Sequence, residues 1–291
     1  MIDLIRAEWL KIIRNLNTTT ALIWIFPIGA ATVLLIGIVM NLAAGDFGGY
    51  MGQSSWNSSF VAIWAVINSF PLNVFGRMLP LAFMAVVFAG EFQWETWRLI
   101  VPKASRVRLV IAKWAALIMT ILVTFTLTGL IIVLLQGGAH AVIGKPYGPV
   151  VTLSTLTDAL QVFAQEVLIA TLSLLLLGTF AALAAFITRS VLGALLLTFG
   201  FSLVELLSSG LLAVLATWFD RPAILEFYRY MPNFNLENLR SWMIFGHGLS
   251  PVPFNLAIEA SVFESVLFVG IWILLLGGWA ISLFNRMDIT K

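Results

Sequence analysis

Cysteine is absent from the 291 residues, which excludes disulfides, thiolate metal sites and cysteine nucleophiles. Charge is scarce as well. Lys, Arg, Asp and Glu together make up 10% of the chain, and a formal net charge of +2 gives no electrostatic footprint for nucleic acid. Only two histidines occur, His140 and His247, far apart in the sequence and read as outer-loop residues rather than ligands. Neither an H-E-x-x-H helix nor a G-x-S-x-G elbow is present. The nearest approach to a phosphate loop, GGAHAVIGKPYG, has Ala139 where the first glycine is needed and Pro146 where Ser or Thr must follow Lys145. Nucleophile, metal motif and phosphate loop are all missing, so the chain reads as a pathway or scaffold, not an enzyme. Its energy would come from a gradient or from another subunit.

Apolar residues, by contrast, are in excess. They account for 60% of the chain, with eleven tryptophans, whereas soluble domains hold about 45–50%. The composition describes an all-α integral membrane protein, because a backbone in lipid must satisfy its own hydrogen bonds. Apolar runs of about 20 residues, enough for a hydrocarbon core of about 30 Å, predict six transmembrane helices over 21–40, 72–89, 114–135, 167–187, 191–212 and 265–284. Pro27 and Pro80 fall inside two of these runs and are expected to kink them. The first run is too long and starts too late for a secretory signal, so it reads as a retained helix.

Orientation follows from Lys and Arg. Arg6, Lys11, Arg14, Arg98, Lys103, Arg106, Arg108, Lys113, Arg189, Arg286 and Lys291 gather on one side of the membrane, against Arg77, Lys145, Arg221, Arg229 and Arg240 on the other. The richer side is cytoplasmic and holds both termini. Residues 1–17 place Ile2, Ile5, Trp9, Ile12 and Leu16 on one helical face, either as an amphipathic helix on the cytoplasmic leaflet or as a basic flank to the first span. The aromatic-rich segments Gly45–Phe70 and Trp218–Glu264, the latter between helices 5 and 6, are expected at the outer interface as short helices.

Two carboxylates fall within or beside the apolar runs. Glu205 lies in the outer third of the fifth helix, with two roles open: a substrate or gating group, or a structural carboxyl bonded to Ser202, Ser208 or Ser209. Glu166 reads as an interfacial anchor. Gly178/Ala182 and Ala181/Ala185 form a small-residue stripe suited to close helix packing, within the chain or between two copies.

The densest charge is in AGEFQWETWRLIVPKASRVRLVIAKW, residues 89–114. Glu91, Glu95 and Arg98 are expected on one face of a short helix ending before Pro102, flanked by Trp94 and Trp97 as headgroup-level anchors. Two glutamates four residues apart repel slightly, so their presence suggests a cationic partner. Ser105 is placed to cap the following helix.

Gly90, Glu91, Phe92, Thr96, Pro102, Ser105, Arg106 and Lys113 resemble the pattern between the second and third helices of permease subunits of type-2 ATP-binding cassette (ABC) exporters. The opening RAEWLKIIRN is similar to that family's amphipathic start, and the agreement extends over nearly the whole chain. One departure is Glu95, where the family commonly has glycine before the threonine. The resemblance implies a single transmembrane permease domain, 1–291, in a bacterial plasma (inner) membrane. Residues 91–101 would form a coupling helix, with Glu91, Phe92, Trp94, Glu95, Thr96, Trp97 and Arg98 gripping a separate ATPase subunit. That subunit would hold ATP and Mg, while this chain holds no cofactor. A second permease copy or close homologue and membrane lipids would be the other partners, no nucleic acid would take part, and export of a peptide, lipid-like or other amphiphilic cargo would follow. The competing reading is a gradient-driven secondary transporter using Glu205.

Overall fold

The computed structural model describes residues 1–15, 19–44, 54–69, 76–249 and 258–288. Among these there are helices and no strands. In chain order they are α1 (Ile2–Arg14), a π-helical turn (Thr20–Trp24) leading into α2 (Ile25–Ala44), α3 (Trp56–Ala62), α4 (Ala65–Asn68), α5 (Met78–Gln93), α6 (Trp97–Ile100), a 3₁₀ turn (Val101–Lys103), α7 (Arg106–Val142), α8 (Leu153–Thr188), α9 (Val191–Trp218), a 3₁₀ helix (Pro222–Tyr230), α10 (Pro232–Phe245) and α11 (Val262–Arg286). Five stretches among the described residues, Ala21–Asn41, α7, α8, α9 and α11, are long and apolar enough to cross a membrane. The chain thus has the helices of a multi-pass membrane protein.

The expected second span differs. α5 has 16 residues, about 24 Å at about 1.5 Å per residue, shorter than a hydrocarbon core of about 30 Å. Residues 72–75 of the expected span lie outside the described residues, as do Leu16 and Asn17 of the expected first helix. α5 is apolar on all sides because it is enclosed on all sides: Leu81, Phe83, Met84, Ala85, Phe88 and Ala89 are fully buried. It packs between α8 and α9. Pro80 sits in the first turn of α5, where its missing N–H breaks no helical bond, so the kink expected there has no cause. Upstream of Pro27 the widened π turn takes up the distortion that this proline imposes.

α8 is the centre of the bundle and packs on α5, α9, α10 and α11. Its small-residue stripe is used within the chain. A Cβ on Gly178 would touch Trp114 at 3.4 Å and Met84 at 3.5 Å, Trp114 Nε1 donates to the Gly178 carbonyl at 2.9 Å, and Ala181, Ala182 and Ala185 are fully buried. Thr152 and Thr155 form a capping box at the start of α8, and Ser261 and Glu264 form one at the start of α11. Ser105 occupies the N-cap position of α7 with extended backbone, but its side chain makes no capping bond, contrary to expectation. α8 and α9 form a tight helical hairpin because Arg189 adopts a left-handed conformation, φ 51°, with Ser190 as the next N-cap.

α7 outruns its expected bounds, 114–135, at both ends. Its basic first turns carry the helix beyond the apolar run, and its last turns stay helical although they contain Gly137 and Gly138, poor helix formers. His140, expected in a loop, is a buried residue of the last turn of α7, 4.8 Å from the Tyr147 ring and 3.2 Å from Ser54 Oγ. His247 is exposed in the loop after α10.

Candidate functional site

At one end of the bundle, α1, α5 and α7 bring four charged side chains into a ring. Lys113 Nζ lies 2.6 Å from Glu91 Oε1 and 2.9 Å from Glu8 Oε2. Lys11 Nζ closes the ring at 2.5 Å from Glu8 Oε1 and 3.5 Å from Glu91 Oε1. Lys113 is 2% exposed and its ammonium also faces the rings of Trp97, at 5.4 Å, and Phe88, at 6.0 Å. Thr96 Oγ1 donates to the other oxygen of the Glu91 carboxylate. Two buried carboxylates and two ammoniums thus neutralise each other, the condition under which such charges survive burial. The ring borders a mainly apolar cavity of about 150 Å³ lined by Ile12, Phe83, Val87 and Trp94 among others.

The cationic partner that Glu91 suggested is therefore in this chain. Glu91 is 8% exposed, and Glu95 pairs separately with Arg98 at 3.0 Å on the surface. The two glutamates do not share a helical face: α5 ends at Gln93, residues 94–96 turn, and α6 begins at Trp97. The expected continuous helix over 91–101 is broken at Glu95, whose φ of 54° no helix accommodates. Trp97, expected as a surface anchor, is 1% exposed in an aromatic cluster with Phe92, Phe186 and Phe284, at 4.7 Å from the Phe284 ring. Of the predicted contact residues, Glu91, Thr96 and Trp97 are thus turned inward and Phe92 is half-buried, while Trp94, Glu95 and Arg98 face outward. Leu99, which the sequence did not single out, is 68% exposed beside them.

At the other end of α5 lies a second polar array. Arg77, 5% exposed, donates from Nε to the Ile67 carbonyl at 2.8 Å and from Nη1 to Asn233 Oδ1 at 2.9 Å. Asn233 Nδ2 donates to Glu237 at 3.2 Å. Glu205 is also buried, accepts from the Asn233 backbone N–H in the first turn of α10, and is coupled electrostatically to Arg77. Arg77 Nη2 and Glu205 Oε1 have no hydrogen-bond partner among the described residues. Of the serines expected at the Glu205 carboxyl, Ser208 donates its hydroxyl to the Glu205 backbone carbonyl instead, and Ser202 Oγ has no hydrogen-bond partner among the described residues. Burial, with the Glu237 and Glu205 carboxylates, holds the nearby Tyr228 phenol above its ordinary range, so it stays a neutral hydroxyl.

No match was found. Neither protein-family models nor curated proteins gave a significant similarity to this chain.

Glu166 is more than an interfacial anchor. It is 3% exposed, takes Arg240 bidentately (Nη2 at 2.6 Å, Nε at 3.0 Å) and accepts from Asn68 Nδ2 at 2.6 Å, tying α8 to α4 and α10. Glu8, Lys113, Arg77, Asn233 and Arg240 carried no functional expectation. Two left a signal in the sequence: Lys113 stands alone in the apolar run VIAKWAA, and Glu8 falls one turn before Ile12 on the apolar face of α1.

Proposed function

We propose that the chain is the membrane-spanning permease subunit of an ATP-driven ABC exporter, with residues 94–101 as its contact on a separate ATPase subunit. The observation that carries this reading is the projecting turn between α5 and α7. It exposes Trp94, Glu95, Arg98 and Leu99, while its roots are held by the buried ring of Glu8, Lys11, Glu91 and Lys113 and by the aromatic cluster around Trp97. A push on such a turn moves helices rather than a slack loop. Glu95 adds to the argument: the position where the resembled pattern commonly has glycine has φ 54°, the backbone that glycine takes most readily.

In this reading both termini and the turn are cytoplasmic, and the membrane is a bacterial plasma membrane. ATP-driven closure of two ATPase subunits presses the turns of two permease copies and opens the path between them. The exposed apolar sides of α2 and α9 face lipid or that second copy, and the cargo is amphiphilic. The test is gentle purification of the tagged chain. A stoichiometric soluble partner with a G-x-x-x-x-G-K-[ST] motif, lost when Trp94 and Leu99 are both changed to Asp, is the expected result. A chain that purifies alone and drives no ATP hydrolysis with any candidate partner refutes it.

A gradient-driven carrier is the second reading, favoured by one observation: the buried Glu205 with an unpartnered Oε1 beside Arg77. It requires transport in liposomes without an ATPase and its loss in Glu205→Gln.

A further inference from the structure

The cavity beside the charged ring is walled by Ile12 of α1 and by Phe83, Val86 and Val87 of α5, with Lys11 and Asn15 of α1 and its C-cap also lining it. We propose that this cavity and the adjoining face of α1 form a site for an anionic phospholipid. One acyl chain enters the cavity and the headgroup phosphate rests on Arg14, Asn15 and Lys11. The site rests on the membrane character of the chain and not on the permease reading.

The cavity takes the chain. Phe83 stands two turns before Glu91 in α5, about 12 Å along the axis at about 1.5 Å per residue, so the apolar wall runs from the ring into the bundle. A cavity of about 150 Å³ with apolar walls stays dry and takes an apolar group in preference to water. Its polar side gives a neutral polar ligand little to bind. The Glu91 oxygens are engaged by Lys113 and Thr96, and those of Glu8 pair with Lys11 and Lys113.

The outer face of α1 selects the headgroup. Glu8 and Ile12 are buried against the bundle, whereas Ile2, Arg6, Leu10, Ile13 and Arg14 recur at three- and four-residue spacing and are all exposed. A face that mixes aliphatic side chains with guanidiniums suits a bilayer surface, its apolar groups at the acyl boundary and its cations drawn to anionic headgroups. The ring itself is neutral, two carboxylates against two ammoniums. Asp3 lies one turn from Arg6 and offsets it, which leaves Arg14 as the excess cation of α1. Arg14 makes no ion pair among the described residues.

The two parts of the site adjoin. Arg14 and Asn15 follow Lys11 by one turn, and Lys11, 46% exposed at its side chain, lines the cavity. A guanidinium takes a phosphate through two parallel N–H bonds, and at Arg14 this sets the first methylenes of the lipid beside the cavity. Thr19 donates to the Ile12 carbonyl at 2.6 Å and so ties the start of the next helix back to α1, which fixes this wall. A soluble phosphate would meet the cation and leave the apolar walls unused; an uncharged lipid would do the reverse.

Native mass spectrometry of the full chain, released from mild detergent after incubation with equal amounts of phosphatidylglycerol and phosphatidylcholine, tests the proposal. One phosphatidylglycerol retained per chain, favoured about tenfold over phosphatidylcholine, is expected, the scale of one charged hydrogen bond. Arg14→Gln, a surface change, should keep a lipid adduct but retain the two lipids equally. Val87→Trp fills the cavity, keeps every charge and should lose the adduct. Val87→Met fills it more mildly and should weaken retention severalfold, even if Val87→Trp folds poorly by near-ultraviolet dichroism. Glycerol phosphate, the headgroup without chains, should not displace the lipid. Equal retention of the two lipids by the parent, no retained lipid, an unchanged preference in Arg14→Gln, full retention in the folded Val87 variants, or displacement by glycerol phosphate overturns the proposal.

Discussion

Replacing Lys113 by methionine tests whether the ring of charges holds α1, α5 and α7 together. The stem volume is nearly kept; the ammonium is not. Glu91 and Glu8 lose contacts at 2.6 and 2.9 Å, and the remaining cation, Lys11, is 46% exposed at its side chain and compensates weakly. Removing one partner of a buried ion pair costs about 3–5 kcal/mol, because the opposite charge stays behind without its counterion. Two cation–π contacts, each about 0.5–1 kcal/mol, disappear with it. A loss of about 3–5 kcal/mol is expected, read as the shift in reversible SDS unfolding of the detergent-solubilised chain by near-ultraviolet dichroism. The triple variant Glu8→Gln, Glu91→Gln, Lys113→Met removes the three buried charges together and should recover to within about 1 kcal/mol of the parent, since the charge left behind, Lys11, is 46% exposed at its side chain and solvated. If Lys113→Met lies within about 0.5 kcal/mol of the parent, or if the triple variant is no better than the single, the ring is not what joins these helices.

The same geometry means that Glu91→Lys would break the fold locally, so coupling is better probed at the surface. If the turn docks on an ATPase subunit as proposed, Trp94→Ala with Leu99→Ala abolishes partner-dependent ATP hydrolysis while stability stays within about 0.5 kcal/mol, as for ordinary surface changes. Glu95→Gly should be more stable than Glu95→Ala by about 1 kcal/mol, since both lack the Arg98 pair and only glycine relieves the left-handed backbone; equal unfolding midpoints would count against strain at this turn. Gly178→Val should lose about 1–3 kcal/mol by driving a branched side chain into Trp114 and Met84, measured by the same SDS titration. Arg240→Met should destabilise comparably by leaving the buried Glu166 carboxylate with Asn68 as its remaining side-chain donor.

Apolar length made most of the helices legible, because a run of about 20 such residues has few other uses. It says less about α5, since a helix enclosed by protein and a helix facing lipid are equally apolar: Leu81, Phe83 and Phe88 carry no mark of which they are. Charge counts oriented the chain on paper but treated Lys113 as one basic residue among several. Its partners, Glu8 and Glu91, are far from it in sequence, and such pairs leave no periodicity to read. The break in the 91–101 segment was hidden for a similar reason. Spacing alone put Glu91 and Glu95 on one face, whereas the burial of Trp97 against Phe284 pulls the chain into a turn. Glu205 was legible as a carboxylate out of place; Arg77 and Asn233, which surround it, lie on segments the sequence keeps apart.

The single continuous α7 has a mechanical consequence. Its 37 residues amount to a rod of about 55 Å at about 1.5 Å per residue, gripped near one end by Glu8 and Glu91 through Lys113 and near the other by Ser59 and Tyr147 through Gln136. A tilt of about 5° about Lys113 displaces Gln136, about 35 Å along the rod, by about 3 Å, enough to withdraw it from Ser59 and Tyr147. Deleting one residue midway would turn the two ends about 100° out of phase. The helix is thus a lever whose two handles are set to each other by length and phase.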